Sequence, residues 1–151
     1  MSITANGLDE LRRIAGTDLG ASDWLDITQD RVDTFADATG DHQWIHVDVE
    51  RARTGPFGGT IAHGYLTLAL IIPLWTQLLR VDGIGMAVNY GLNRVRFPAP
   101  VPVGAQIRLH ARVASVEDVP DGVQLTVDFT VEIRDAGKPA AVAQALYRYR
   151  A

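Results

Sequence analysis

The sequence predicts an α+β domain in which a buried helix precedes about four antiparallel strands. From Gly64 the chain is apolar on nearly every side, through Tyr65, Leu66, Leu68, Leu70, Ile71, Ile72, Leu74, Trp75 and Leu78. A helix without a polar face has to be covered by other elements. Further on, Leu125, Val127, Phe129, Val131 and Ile133 alternate with Thr126, Asp128, Thr130, Glu132 and Arg134. That period of two marks an antiparallel strand with one face on a core. With 151 residues, 47% hydrophobic and 21% charged, the chain fits one domain over 1–151 with a substantial core.

The elements follow in order. Leu8, Leu11 and Ile14 recur at helical spacing, so a short helical extension is expected over about 6–16, stopped by Gly16. Trp24, Leu25 and Ile27 suggest a brief strand. Thr28 reads as an N-cap, and Val32, Phe35, Ala36 and Thr39 trace a helix that Gly40 ends. Asp41 to Asp48 reads as loop passing into extended chain, and Asp48 as the cap of another short helix over Val49 to Thr54. Gly55-Pro56-Phe57-Gly58-Gly59 is a loop by composition. The apolar helix runs to about Leu79, and Pro73 should kink or split it, because proline removes one ladder bond and clashes with the preceding turn. Strands are expected over Ile84–Phe97, Gln106–Val119, Val123–Arg134 and Ala140–Arg150, with turns at Pro120-Asp121-Gly122 and Asp135-Ala136-Gly137. A strongly curved sheet around the apolar helix satisfies both halves of the pattern.

Composition narrows the function. A net charge of −4 supplies no basic field for nucleic acid or an anionic membrane. No cysteine is present, which removes thiol nucleophiles, disulfides and Cys-ligated zinc. Ser2, Ser22 and Ser115 lack a nucleophile-elbow context, and Lys138 is the one lysine and lies in a turn. The longest apolar run, Tyr65 to Leu79, falls short of the roughly 20 residues of a membrane span. Met1 to Gly16 lacks the basic start and apolar middle of a signal peptide, so a cytoplasmic location is expected.

What remains favours proton transfer. Asp41 and His46 are five apart, and a loop that turns back can bring them together on one water. Equally, Asp41 can cap a backbone amide and His46 can be a buried, satisfied histidine. Asp41, His42, His46 and Asp48 offer metal-ligand atoms, but their spacings match no familiar zinc pattern, and no metal is expected. His110 reads as a surface or packing histidine of a strand. Gly64 opens the apolar helix, where free amides point outward and a glycine lets a substrate oxygen approach. The same glycines, Gly58, Gly59 and Gly64, also suit a tight loop with no chemistry.

Three segments together resemble the MaoC-like dehydratases, or (R)-specific enoyl-CoA hydratases. They are Phe35-Ala-Asp-Ala-Thr-Gly-Asp41-His-Gln-Trp-Ile-His46-Val-Asp48, Ile61-Ala-His63-Gly64, and Gly91-Leu-Asn-Arg-Val-Arg-Phe97 with the proline-rich run to Gly104. The likeness covers Trp24 to the end and is strongest to short members related to nodulation protein N. It implies a hot-dog fold, a curved sheet wrapped round one long helix, and a homodimer joined along sheet edges. It implies that Asp41 and His46 activate water, that the Gly64 amide holds a thioester oxygen, and that the product is an (R)-3-hydroxyacyl thioester. The substrate would be an acyl-CoA or acyl-carrier-protein thioester. No separate cofactor is implied, since coenzyme A is part of the substrate. Gln43, Trp44 and His63, within the matched motifs, are expected at the substrate. Arg94 and Arg96 would meet the nucleotide phosphates or stand as solvated strand residues. The chain departs from the family's Asn-Pro with Gln43-Trp44, which bears on substrate choice, and its helix lacks the serine of some members.

Two other functions stay open at this level. A hot-dog thioesterase usually needs a carboxylate near the helix, and Tyr65 to Leu79 has no Asp or Glu. A non-catalytic acyl-thioester-binding module would also account for Trp44.

Overall fold

The computed structural model describes residues 2–151. The chain begins with β1 (Ile3–Asn6) and α1 (Gly7–Arg12), then β2 (Asp18–Ala21) and β3 (Leu25–Asp26). Four helices follow: α2 (Gln29–Thr39), α3 (Trp44–Val47), α4 (Val49–Arg53) and α5 (Gly64–Ala69). After them come α6 (Ile71–Leu78), β4 (Leu79–Asp82), β5 (Met86–Arg96), β6 (Gln106–Val119), β7 (Gly122–Ile133) and β8 (Ala141–Arg150).

The main sheet is antiparallel in the order β2-β6-β7-β8-β5, with β3 also on β6. Its four long strands occupy the expected segments. The alternation in β7 is realised: Leu125, Val127, Phe129 and Val131 are all buried. Asp121 and Asp135 adopt left-handed φ of 68° and 59° in the turns flanking β7, a conformation that short polar side chains tolerate. The helices α5 and α6 lie within the curve of the sheet and contact β8, β6 and β2. This is the hot-dog arrangement implied by the resemblance.

The apolar helix is split rather than continuous. α5 ends at Ala69, α6 begins at Ile71, and Leu70 lies between them. The cause sits four residues after Ala69. Pro73 has no N–H for the Ala69 carbonyl, and its ring excludes that carbonyl from the helical position. Both pieces still bury the same stripe: Leu66, Leu70, Ile71, Leu74, Trp75 and Leu78.

Three local expectations are corrected. One further short strand, β2, adds to the sheet along β6 beside β3, which is the brief strand expected at Trp24 to Ile27. β2 has four residues with a bulge between Asp18 and Gly20, too short and irregular to show a period. Leu79 leaves the helix and starts β4, which pairs in parallel with β1 from Ile3↔Leu79 to Asn6↔Asp82. A pairing between segments so far apart leaves no local pattern. Finally, Trp44–Val47 is one helical turn rather than extended chain. No helix among the described residues is long and apolar enough to cross a membrane.

The β7–β8 pairing has one tight point. A methyl group built on Gly122 would lie 1.9 Å from the Tyr149 carbonyl oxygen. Backbone held by a ladder cannot retreat as a side chain does. Gly122→Ala is expected to lower stability by on the order of 3 kcal/mol, read as a shift of the urea midpoint with unchanged slope.

Candidate active site

Capping chemistry places Asp41. The Thr28 hydroxyl accepts from the Arg31 amide at 3.2 Å and starts α2. Gly40 ends it at φ 80°, its amide donating to the Ala36 carbonyl at 2.8 Å. Asp41 therefore leaves the helix immediately, on an exposed loop. The Gln43 carbonyl then accepts from the His46 amide at 3.0 Å, and the single turn α3 swings residue 46 back toward residue 41. This turn is how a spacing of five converges. Asp48 caps α4 through its carboxylate and the Arg51 amide, 3.1 Å, as the sequence suggests.

His46 is buried, with 6% of its surface exposed. Its Nδ1 lies 2.7 Å from the Ile61 carbonyl oxygen. A carbonyl only accepts, so Nδ1 carries the proton and neutral His46 presents a free lone pair at Nε2. The backbone around it is fixed as well. The Ile61 amide donates to the Ile45 carbonyl at 3.0 Å. The Gln29 side-chain amide donates to the His46 carbonyl at 2.8 Å, and its oxygen accepts from the Thr60 hydroxyl at 2.6 Å.

His63 stands just before Gly64 and is 2% exposed. Its ring stacks on that of His46, with centroids 3.8 Å apart and planes at 24°. One ligand-type atom from each of Asp41, His46 and His63 lies within 4.8 Å of the others. The two imidazoles cannot both ligate one ion in this arrangement. An ion lies in the plane of each imidazole that binds it, and two stacked, nearly parallel rings share no such point within the roughly 2.0–2.1 Å of a zinc–nitrogen bond.

A cleft of about 360 Å³ opens beside His46, lined by His46, Phe57, Gly64, Thr67, Phe97 and Val101 among others, with Asp41 off its wall. The Phe97 ring presses on Gly64: a methyl there would come within 3.2 Å of it. Glycine at 64 thus serves close packing whatever else its amide does. Thr67, one turn further along α5 and 3% exposed, adds a hydroxyl to the cleft wall. Neither Thr67 nor Gln29 is among the site residues expected from the sequence. The three-residue spacing from Gly64 signals Thr67, whereas nothing local signals Gln29.

The other expected site residues are spread more widely. Gln43 is exposed and precedes α3, its amide 3.4 Å from the Asp41 carboxylate. The Trp44 ring packs on Gly55, with the Arg51 guanidinium 4.2 Å from its centroid, and is absent from the wall of the cleft. His63 does not line the cleft either. Arg94 and Arg96 are exposed on β5, and neither meets the dyad. His42 turns to Asp37 at 2.9 Å, and that hydrogen bond raises its pKa above the ordinary value.

A second, apolar groove lies along the helices between α5, α6 and β5. It holds about 230 Å³ and is lined by Leu68, Ile71, Ile72, Leu92 and Phe129 among others. Leu68 lies one turn beyond Gly64, so cleft and groove share a helix face.

The sequence matches the family described as MaoC like domain over residues 11–133. It is 55% identical over 147 residues to the 3-hydroxyacyl-thioester dehydratase Z of Mycobacterium tuberculosis, covering 97% of each chain. It is 44% identical over 133 residues to nodulation protein N of Rhizobium leguminosarum bv. viciae, covering 85% of this chain and 81% of that one. Among solved structures, the unliganded R-hydratase of Pseudomonas aeruginosa superposes with a TM-score of 0.74 at 26% identity, over 93% of this chain and 83% of that one. Matched in sequence over nearly its whole length and in fold over most of it, the chain belongs to the MaoC-like dehydratase family.

Proposed function

We propose that this chain is an (R)-specific hydro-lyase acting on acyl thioesters. It interconverts trans-2-enoyl and (R)-3-hydroxyacyl thioesters. The convergence of Asp41 on His46, which lines a cleft at the start of α5, carries this reading, and the near full-length likeness to a 3-hydroxyacyl-thioester dehydratase supports it.

In the hydration direction, a water donates one hydrogen bond to the Asp41 carboxylate and one to His46 Nε2, and gives up one of these protons. Its oxygen attacks C3 while the thioester carbonyl becomes an enolate, and a proton returns to C2. The proton taken and the proton returned belong to the pair, because two such close groups titrate together. The Ile61 carbonyl keeps His46 in the tautomer that can accept. The free amide of Gly64 at the start of α5 donates to the developing enolate oxygen. The acyl chain runs along Leu68, Ile71 and Ile72 in the apolar groove. Gln43 and Arg94 or Arg96 remain available to the carrier end of the thioester, whether coenzyme A or a carrier protein.

The working unit in this proposal is a homodimer. β5 is the free edge of the main sheet, and all but one of its eleven residues are exposed. Met86, Val88, Tyr90 and Leu92 are 39–54% exposed along it. An edge this long and apolar invites pairing, and a second copy joined there would also roof the groove beside Leu92.

Crotonyl-CoA and a longer trans-2-enoyl-CoA, followed by loss of enoyl absorbance, test the activity. Asp41→Asn and His46→Gln are each expected to lower kcat/KM by about 10²–10⁴-fold with little change in melting temperature. An inactive wild type on thioesters of both carriers would end the hydratase reading. For the dimer, light scattering should give wild type twice the 16.4 kDa chain mass, and Val88→Lys the single mass with unchanged circular dichroism. A variant that stays dimeric would place the interface elsewhere.

A further inference from the structure

The three groups that the hydratase reading relies on come from separate segments: the loop after α2, the turn α3 and the start of α5. One residue touches all of them. His63 is bonded covalently to Gly64 and stacks face to face on His46 at 3.8 Å. Its Nε2 lies 3.0 Å from the main-chain oxygen of Asp41. That oxygen only accepts, so Nε2 carries the hydrogen and donates it.

The donation has a cost that the fold tolerates. With the proton on Nε2, Nδ1 is a bare lone pair, and it is buried without a hydrogen-bond partner among the described residues. It is the one such side-chain atom among them. Buried polar atoms without partners are rare and call for an explanation. A phenylalanine or leucine would fill the space beside Phe35, whose ring centroid lies 4.8 Å away, with no orphaned nitrogen. Packing therefore does not account for a histidine here. Substrate contact does not either, since the ring is buried and its Nδ1 is closed off from the surface.

We propose that His63 is a positioning residue for the hydration reaction: its N–H holds the Asp41 loop, and its ring face sets His46 at the matching distance. The other bonds on the Asp41 loop are long or exposed: the Asp41 amide to the Thr39 hydroxyl and the Gln43 main-chain amide to the Asp41 carboxylate are each 3.4 Å, and the His42–Asp37 contact of 2.9 Å is exposed, as are residues 39–43. Removing the His63 bond frees the Asp41 main chain, and with it the carboxylate, from its place beside His46. Misplacement of about 1 Å at a reacting centre costs on the order of 10²-fold in rate.

The inference rests on the hydratase reading, and the test separates the two. His63→Phe keeps a flat ring and loses the donor, while His63→Gln keeps a donor of similar reach and loses the ring. Each is assayed with crotonyl-CoA beside wild type and Asp41→Asn, with melting curves. His63→Phe is expected to lose about 100-fold in kcat, to hold KM within about two-fold, and to melt no lower than wild type. His63→Gln should recover part of the lost kcat. Wild-type kcat in His63→Phe would overturn the proposal, as would a rise in KM alone, which marks direct substrate contact. So would losses that follow melting temperature through both variants. If wild type itself is inactive while folded, the hydratase reading fails. Backbone ¹⁵N relaxation then still decides the positioning role. Residues 40–43 should be as rigid as the helices in wild type, with order parameters near 0.85, and fall toward 0.6 in His63→Phe. Equal order in both would overturn it.

Discussion

The burial of Trp75 is the contact on which the arrangement turns. Its ring meets Phe129 edge-on at 5.3 Å and stacks on Tyr147 at 5.7 Å. Its N–H donates to the Tyr149 hydroxyl at 3.3 Å. One side chain of α6 is thus clamped to both β7 and β8. Indole is large, and only a partner oxygen makes its complete burial favourable. Burial also pushes the Tyr147 and Tyr149 phenols above their ordinary pKa, so both stay neutral. With α6 fixed, α5 is fixed through the Pro73 break, and the start of α5 determines where Gly64 and His63 lie.

Around that frame the site is built from main-chain carbonyls more than from side-chain pairs. The Ile61 carbonyl sets the tautomer of His46, the Asp41 carbonyl holds His63, and the His46 carbonyl is held by Gln29. A backbone carbonyl is a good orienting group because it carries no net charge and does not titrate. Two buried imidazoles can then sit in contact without a buried carboxylate between them, an arrangement that would demand heavy compensation for desolvation.

The Gln43-Trp44 departure from the family motif now has a physical reading. Trp44 uses its ring in packing on Gly55 beneath Arg51, where a smaller side chain would leave space, and glycine at 55 is the matching concession. The substitution and the glycine form one local unit on the outer side of α3. The wall of the cleft is left to Phe57, Phe97 and the residues of α5.

Local chemistry in the sequence determined a good deal. The caps Thr28, Gly40 and Asp48, the break caused by Pro73 and the alternation of β7 are properties of adjacent residues, so they were legible from the chain alone. The Asp41–His46 pair was legible as a spacing with two meanings, one catalytic and one structural. Tertiary structure decided what adjacent residues cannot express. The parallel pairing of β1 with β4 joins segments more than seventy positions apart. The turn at Trp44–Val47 is held by the Ile61 segment, which meets it only in the folded chain. The nitrogen of His46 that stays free, the burial of His63 and the partnership of Gln29 with Thr60 depend on the same closure. The physical reason is common to all of them: propensity and capping act within a few residues, whereas a hydrogen bond or a stacked ring acts between whatever surfaces the wrapped sheet brings together.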